Sequence, residues 1–430
     1  MARTIRKIAS GQESLELMSV GALMSVIPYK QVDEALAERP DTARRTRIRK
    51  LTKRMTVYLI IFLCLYFGKS TINVAKTVMA AVFRLHGRHP GDFSEAALSK
   101  SRISVGSSTM HSLFRSVCTP ISTPDETPGA FYKDLRLAGI DGSNLDLQNV
   151  EQVSAAFPIA DDGGKSGHKV PKLRFNGLLD IGSRSLFDAE CGPYTTCSEQ
   201  ALARRLLERL LAGLLLLGDR YYPSVANMKM IIRRGSHFLF RLKAKRKYEE
   251  IKALPDGSFI ARLFNDHHKG TRGASVVVRI IPYIVKDKDG AEIEHGLLAT
   301  SLLDDKKYPA KELAANYHFR WESEMCYDEL KAHLLNGTTD CLRSKTPDLV
   351  RQEFWGLLIA HWAVKKIAYN AAVAAGRPPA DISFTDTLEI VRRTTQSALP
   401  PPEGTDGRQW EGDIVSQTGE IRGQPDGVNG

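Results

Sequence analysis

Three acidic residues occupy places where a carboxylate is unusual, and they are candidates for binding a ligand. Asp141 falls in the middle of an apolar run, within GIDGS, and Asp219 directly follows the run LLLLG. Both runs have the character of buried strands, and a carboxylate buried alone is costly, so each needs a partner. Ligands bind at strand ends in open sheets. The third carboxylate, Glu324, lies in a stretch with helical periodicity.

The helix predicted around Glu324 groups four functional side chains. An α-helix turns by about 100° per residue, which places Arg320, Glu324 and Lys331 within about 60° of Tyr317. A salt-bridged surface helix would also show an i,i+4 pair such as Arg320 and Glu324. The tyrosine and the length of the stripe, several turns, are less usual for a solvated face.

The elements that must position these residues follow a linker. Residues 1–120 carry helix-length apolar patterns, and the Thr/Pro-rich stretch Cys118–Gly129 is typical of a domain boundary. Strands are predicted at Leu135–Leu147, Leu173–Ile181, Ser185–Glu190, Gly213–Tyr222 and His237–Ala244, and helices at Ser198–Leu211, Pro223–Arg234, Ala310–Leu335 and Asp348–Ala375. Charged turns separate β-rich runs over residues 245–300, which predicts a small β subdomain inserted in an α/β domain.

The composition favours a polyanionic partner. The chain has 60 Lys+Arg against 49 Asp+Glu, a net charge of +11 over 430 residues. This balance suits nucleic acid or an anionic membrane surface, although a merely basic enzyme would show it too. The six cysteines form no CxxC pair, which argues against a zinc ribbon. The N-terminus lacks the apolar run of a signal peptide, and the apolar stretch Met55–Gly68 is shorter than the ~18–20 residues of a membrane span, so a buried helix is predicted.

A strongly basic run lies in the N-terminal helical region. Residues 39–56 contain eight Lys/Arg against one Asp. Such runs are usually solvated faces, but contact with DNA phosphates is a competing interpretation in a basic protein. The candidate contacts are Arg44, Arg45, Arg47, Arg49 and Lys50.

The spacing Tyr317-x2-Arg320-x3-Glu324-x6-Lys331 matches the Y-R-E-K motif of bacterial DDE transposases of the insertion-sequence-four family. GIDGSNLDL resembles that family's first-Asp strand, and LLLLGDRYYPS resembles its second-Asp strand and turn. The stretch Leu342–Val364 resembles the helix that follows the motif. The resemblance covers roughly residues 25–375.

The resemblance implies metal-dependent chemistry at the three carboxylates. Asp141, Asp219 and Glu324 would hold two Mg²⁺ ions, for which Mn²⁺ can substitute, with Asp141 bridging them. Two such ions can activate an attacking water or 3′-hydroxyl and stabilise the leaving oxygen of a phosphodiester. Tyr317, Arg320 and Lys331 would contact phosphates of the transposon end through charge-assisted and hydroxyl hydrogen bonds.

The resemblance also implies the architecture, an RNase H-like α/β catalytic domain with an inserted β subdomain, preceded by an all-α DNA-binding domain. The predicted parts are a helical N-terminal domain over 1–120, a linker over 121–130, a catalytic domain over 131–244 and 301–376, the insertion over 245–300, and a C-terminal segment with a disordered tail over 377–430.

The implied function is cut-and-paste DNA transposition. The expected partners are double-stranded DNA, as terminal inverted repeats and as target, and a second copy of the chain in a synaptic homodimer, in the bacterial cytoplasm at the nucleoid. The segment from Ala398 onward is acidic and rich in Gly and Pro, unlike the basic end expected of the family. It leaves open an alternative, a decayed or repurposed copy that binds DNA without cutting it.

A few further residues are weaker candidates. Phe259, Phe264 and Tyr283 of the predicted insertion could hold a flipped base if a hairpin forms on the DNA end, although core packing is favoured for each. Asp146 and Asp180 lie on strands near the expected site and are possible supports for it; surface or turn roles are equally compatible with the sequence.

Overall fold

A computed structural model describes residues 23, 25–38, 51–84, 94–160, 170–265, 274–286, 292–335 and 341–397. These residues form a mixed α/β protein, as the sequence predicts, and the described strands pair in one large sheet. The chain divides into two compact units. The helical unit takes its described residues from Met1–Ile121, Leu145–Pro171 and Asp328–Gly430, and the sheet unit comprises Ser122–Asn144 and Lys172–Tyr327.

Outside residues 310–335, the predicted helices and strands are present with shifted ends. In chain order the helices are α1 (Tyr29–Ala37), α2 (Lys53–Leu65), α3 (Thr71–Arg84), α4 (Glu95–Val117), α5 (Glu151–Ala156), α6 (Glu199–Glu208), α7 (Val225–Arg233), α8 (Ala310–Tyr317), α9 (Glu322–Asp328), α10 (Pro347–Ala374) and α11 (Phe384–Ser397). The strands are β1 (Phe131–Tyr132), β2 (Leu135–Asp146), β3 (Lys172–Asp180), β4 (Ser185–Pro193), β5 (Leu214–Gly218), β6 (His237–Arg241), β7 (Tyr248–Ala253), β8 (Phe259–Phe264), β9 (Ser275–Lys286) and β10 (Glu292–Thr300).

The sheet has the order β4-β3-β2-β5-β6-β10-β9-β8-β7, with β1 paired to β2. The hairpin of β3 and β4 is antiparallel, whereas β2, β5 and β6 run parallel to one another. Parallel neighbours bring their carboxyl ends to one edge of the sheet, where ligands commonly bind. The central strand β5 is buried along its whole length, as its uninterrupted apolar run predicts.

Helices α6 and α7 cover this central part of the sheet. Ser198 begins α6 by accepting a hydrogen bond from the N–H of Ala201, and Ser224 begins α7 in the same way with Asn227. Both helices direct apolar residues into the core that β2, β5 and β6 share. The predicted helices at Ser198–Leu211 and Pro223–Arg234 are confirmed in their essentials.

Strands β7 to β10 continue the same sheet, because β10 pairs antiparallel with β6. Arg279 of β9 is fully buried. It donates hydrogen bonds to Ser258 Oγ (2.7 Å) and to the carbonyl of Tyr308 (2.6 Å), and it forms an ion pair with Asp256. Asp256 also accepts from the N–H of Ala310 (2.9 Å). The carboxylate of Asp256, which lies between β7 and β8, therefore caps the first turn of α8.

The segment after this cap differs from the single helix predicted over Ala310–Leu335. Helix α8 passes into a 3₁₀ segment, His318–Trp321, then into α9, and then into a π-helix, Glu329–Leu334. A 3₁₀ helix turns by about 120° per residue rather than about 100°. The uniform 100° step assumed in the prediction therefore does not hold across residues 318–321.

The helical unit is built around α2 and α10. Residues 56–65 of α2 are buried, which confirms the predicted buried helix, and α10 is buried on most of its surface. Glu353 of α10 accepts hydrogen bonds from the backbone N–H of Ser344 (2.8 Å) and from Arg343 (3.1 Å), whose guanidinium also donates to the carbonyl of Leu63 at the end of α2 (2.8 Å).

Among the described helices, none is long and apolar enough to span a membrane. The predicted disordered tail from residue 398 lies outside the described residues.

Candidate active site

Two of the three predicted carboxylates emerge from neighbouring parallel strands. Gly139 of β2 lies opposite Leu217 of β5. Asp141 and Asp219 each follow that pair by two residues, so the two aspartates lie side by side just beyond the β2–β5 pairing, Asp141 still within β2 and Asp219 directly after β5. The strand patterns of the sequence predicted both positions, and the parallel register brings them side by side.

Backbone contacts fix the local conformation at both aspartates. Asp141 Oδ1 accepts from the N–H of Gly142 (2.8 Å), and the carbonyl of Asp141 accepts from the hydroxyl of the buried Tyr327 (2.6 Å). Asp219 Oδ1 accepts from the N–H of Tyr221 (2.7 Å), which closes a tight turn directly after β5. Each carboxylate is thus held by a main-chain donor and retains lone pairs for another partner.

The electrostatic environment disfavours ionisation of Asp141. Burial, with smaller contributions from the negative charges of Asp219 and Glu199, raises the pKa of its carboxyl to about 7, against the opposing effects of the Gly142 N–H and of Arg320. Close carboxylates with a raised pKa are typical of functional sites, because a bound cation would relieve the repulsion.

The motif residues on α8 and α9 approach the same region of the sheet unit. Tyr317 is buried, and its hydroxyl lies 3.4 Å from the carbonyl of Gly218, which it can reach as a donor. Its ring lies 5.9 Å from that of Tyr283, centroid to centroid. Arg320 Nη2 donates to Glu324 Oε1 (2.9 Å), and about two fifths of the Glu324 side chain is exposed, 43%.

A polar cavity joins the second aspartate to the motif. It has a volume of about 420 Å³, and it is lined by Asp219, Arg220, Arg241, Tyr317, Arg320 and Glu324. Three arginines thus face two carboxylates. Such a wall can bind a phosphate group, because guanidinium groups donate paired hydrogen bonds to phosphate oxygens.

The carboxylate oxygens of this region are the kind of ligand atom that a hard divalent cation prefers. Mg²⁺ and its analogues prefer carboxylate oxygens and need few protein ligands, since they keep several waters. Asp141 and Asp219 interact electrostatically, and Asp219 shares the cavity with Glu324. Within the described ranges, however, no three Asp, Glu, His or Cys side chains are close enough together to hold one ion.

The remaining predicted residues fall in several places. Lys331 lies in the π-helix of the helical unit. Phe259 stacks near Tyr248 at 5.4 Å in the outer strands, which agrees with a packing role. Asp180 is fully buried, pairs with Arg136 and accepts from backbone and hydroxyl donors, so it has a turn role. The basic candidates Arg44, Arg45, Arg47, Arg49 and Lys50 lie outside the described residues.

Sequence reasoning missed three polar residues that the fold brings to this region: Glu199, Arg220 and Arg241. Arg220 follows Asp219 directly, so its place beside the site could have been predicted. Arg241 ends β6 and Glu199 begins α6. Only the order of strands in the sheet shows that these two ends meet the site.

Comparisons with known proteins identify the family of this chain. The family model "Transposase DDE domain" matches residues 139–363, a range that includes all three carboxylates, and "Insertion element 4 transposase N-terminal" matches residues 17–115. Among curated proteins, the transposase InsG for insertion sequence element IS4 of Escherichia coli (strain K12) is 28% identical over 367 residues, which cover 82% of this chain and 79% of that protein. Among solved structures, the piggyBac transposase synaptic complex with hairpin DNA is similar with a TM-score of 0.45 and 11% identity, over 95% of this chain and 86% of that chain. The match of the DDE domain to more than half of the chain establishes that this protein belongs to the DDE transposases, and the N-terminal match together with the similarity to InsG supports the insertion-sequence-four family.

Proposed function

We propose that this transposase cleaves DNA at terminal inverted repeats and joins the freed ends to target DNA, with Asp141, Asp219 and Glu324 as ligands of two Mg²⁺ ions. The observation that carries the proposal is the β2–β5 register, which sets Asp141 within β2 beside Asp219 at the end of β5, with Glu324 in the cavity beside Asp219. When bound, the cations would activate the attacking water or 3′-hydroxyl and stabilise the leaving oxygen. Mn²⁺, with similar ligand preferences, would substitute.

The arginines of the cavity would contact the DNA backbone. Arg320 now donates to Glu324, and phosphate oxygens would compete for the same guanidinium. Arg220 and Arg241 line the same wall. Tyr317 would act from a buried position, through its hydroxyl, and Lys331 would add a phosphate contact from the π-helix that follows α9. The basic run with Arg44 to Lys50 would bind DNA further from the reacting strand.

The architecture supports an RNase H-like catalytic domain. The order β4-β3-β2-β5-β6, with a parallel central trio, carries the acidic residues at its carboxyl edge. We take β7 to β10 as the inserted β part and the N-terminal helices as the DNA-binding domain; the boundaries at 120, 130, 244, 300 and 376 stay predictions. The proposed working form is a homodimer on two DNA ends in the bacterial cytoplasm, at the nucleoid.

The test is a strand-cleavage assay with purified protein and a labelled duplex that carries the DNA flanking the gene. We expect nicking at the repeat boundary with Mg²⁺ or Mn²⁺ and none with EDTA. Glu324→Gln should abolish cleavage and retain end binding, because it keeps an oxygen acceptor for Arg320 but removes the charge. Asp328→Asn, an exposed acid one helical turn later, is the matched control and should cleave normally.

Two outcomes would redirect the proposal. Equal cleavage by the wild type and Glu324→Gln would remove Glu324 from the reaction. Binding of the duplex in a gel-shift assay without nicking under any divalent cation would favour the alternative, a copy that binds DNA but no longer cuts it. The acidic segment from Ala398 onward suggests this alternative.

A further inference from the structure

Glu199, which the family motif does not include, lies next to the acidic site. It is the first residue of α6, and its side chain is half-buried. Its Oε1 accepts a hydrogen bond of 2.6 Å from the hydroxyl of Tyr222. Tyr222 stands three residues after Asp219, at the end of the turn that Asp219 opens.

The Glu199 carboxylate also packs on the residue that follows Asp141. A Cβ atom added to Gly142 would lie 2.7 Å from both the carboxyl carbon and Oε1 of Glu199. Real Cβ atoms do not approach other atoms so closely, so a glycine is required here for the carboxylate to take this position. Glu199 therefore touches the segments that carry both aspartates.

A second hydrogen bond fixes the direction of the first. Asn176 Nδ2, on β3, donates to the Tyr222 hydroxyl oxygen at 3.0 Å, and both side chains are buried, with 0% and 1% exposed. Because the hydroxyl has one proton, and its oxygen already accepts from Asn176, that proton goes to Glu199. Asn227 Nδ2 donates to the carbonyl of Tyr222 at 3.0 Å. The tyrosine is held at both its ring end and its backbone.

We propose that Glu199 and Tyr222 are a positioning pair for the transposase reaction, which sets the Asp219 turn relative to the Asp141 strand. The proposal rests on the proposed function, since it assigns the pair to that same acidic centre. Neither residue need touch DNA or a reacting atom; the pair acts through the two aspartates. Catalytic groups must be held within a fraction of an ångström, and a misplacement of about 1 Å can cost about 100-fold in rate.

The test separates the hydrogen bond from the charge. Tyr222→Phe removes the donor, Glu199→Ala removes the acceptor, and Glu199→Gln keeps an acceptor oxygen without the charge. We expect Tyr222→Phe and Glu199→Ala each to lower kcat for end cleavage by about 10-fold to 100-fold with KM for the DNA end unchanged. Glu199→Gln should cleave nearly as well as the wild type. The double variant should be no worse than either single one, because the two changes break one interaction.

A second readout does not depend on cleavage. Mn²⁺ affinity of the DNA-free protein, measured by titration calorimetry, should weaken in Tyr222→Phe and Glu199→Ala and be retained in Glu199→Gln. Tyr132→Phe is the matched control: it removes a Tyr–Glu hydrogen bond of 2.9 Å to Glu312 in the same unit and should change neither readout.

The outcomes distinguish this proposal from the proposed function. A wild type that cleaves no end with either cation removes the proposed function, and Mn²⁺ affinity still reports on the pair. Wild-type kcat and Mn²⁺ affinity in Tyr222→Phe would overturn the positioning role. Equal losses in Glu199→Gln and Glu199→Ala would also overturn it, because the charge of Glu199 rather than its hydrogen bond would then matter.

Discussion

Replacement of Asp141 by asparagine should stabilise the cation-free protein, and the gain should grow with pH. Burial, reinforced by Asp219 and Glu199, raises the pKa of Asp141 to about 7, whereas an Asp in an unfolded chain has a pKa near ~3.9. Ionisation is therefore disfavoured in the folded state, and folding loses stability as pH rises from about 4 to about 7. Asparagine keeps the Oδ1 acceptor for the N–H of Gly142 but carries no charge.

The two pKa values fix the size of the effect. The penalty for ionising Asp141 on folding is about 1.5 kcal/mol at pH 5 and about 4 kcal/mol at pH 8. Asp141→Asn should thus gain about 2.5 kcal/mol more at pH 8 than at pH 5. Urea denaturation in EDTA at both pH values measures this difference, and the exposed Asp125→Asn is the control that should show none.

Added Mg²⁺ supplies the complementary measurement. An ion that binds only the folded state stabilises it by RT ln(1 + [Mg²⁺]/Kd). Mg²⁺ should therefore raise the stability of the wild type at pH 8 and have a much smaller effect on Asp141→Asn. A gain from the substitution that is equal at pH 5 and pH 8 would refute the electrostatic reasoning. Equal stabilisation of both proteins by Mg²⁺ would remove Asp141 from the cation site.

Three further changes test other parts of the molecule by urea denaturation. Asp256→Ala should cost about 3–5 kcal/mol, because it leaves the fully buried Arg279 without its anion; a loss below about 1 kcal/mol would contradict this. Glu353→Ala should lower the free energy of unfolding by a similar amount, because Arg343 loses the carboxylate with which it forms an ion pair. Although burial opposes it, the charge of Arg343 lowers the pKa of Glu353, so wild-type stability should fall as pH drops from about 4.3 through that lowered value, and the variant should lack this component. Glu324→Gln should change stability by less than about 0.5 kcal/mol, since an exposed i,i+4 pair contributes little, and a larger loss would make Glu324 structural.

The sequence was most informative where one chain segment decides the outcome. The apolar run before Asp219 predicts a strand buried on both faces, and β5 has that burial over its whole length. The first predicted helix starts at Ser198, which caps α6 in the structure; the helix predicted from Pro223 begins instead after Ser224, which caps α7. These features depend on residues within a few positions of each other. Local hydrogen bonds and apolar periodicity are sufficient to specify them.

Features that need distant segments were not predictable in the same way. The cap that Asp256 gives to α8 crosses 54 residues of sequence. The meeting of Arg241 with Asp219 depends on the placement of β6 beside β5, which no local pattern reveals. The spacing of Tyr317, Arg320 and Glu324 predicted that they share one face, and they line one cavity although a 3₁₀ segment separates α8 from α9. Their unequal burial, with Tyr317 buried and Glu324 partly exposed, depends on the packing around each residue and could not be predicted from the spacing.

The surroundings of the acidic centre explain how the fold tolerates it. Asp141 and Asp219 repel each other, and the raised pKa of Asp141 reflects burial first and that repulsion second. The neighbouring hydrogen bonds do not remove the repulsion, since Tyr327 donates to the carbonyl of Asp141 and not to its carboxylate. They instead keep the segments from moving apart to relieve it. A site held in this way stores an electrostatic penalty in the cation-free protein, and cation binding would release it, so the same packing that lowers stability would strengthen metal affinity.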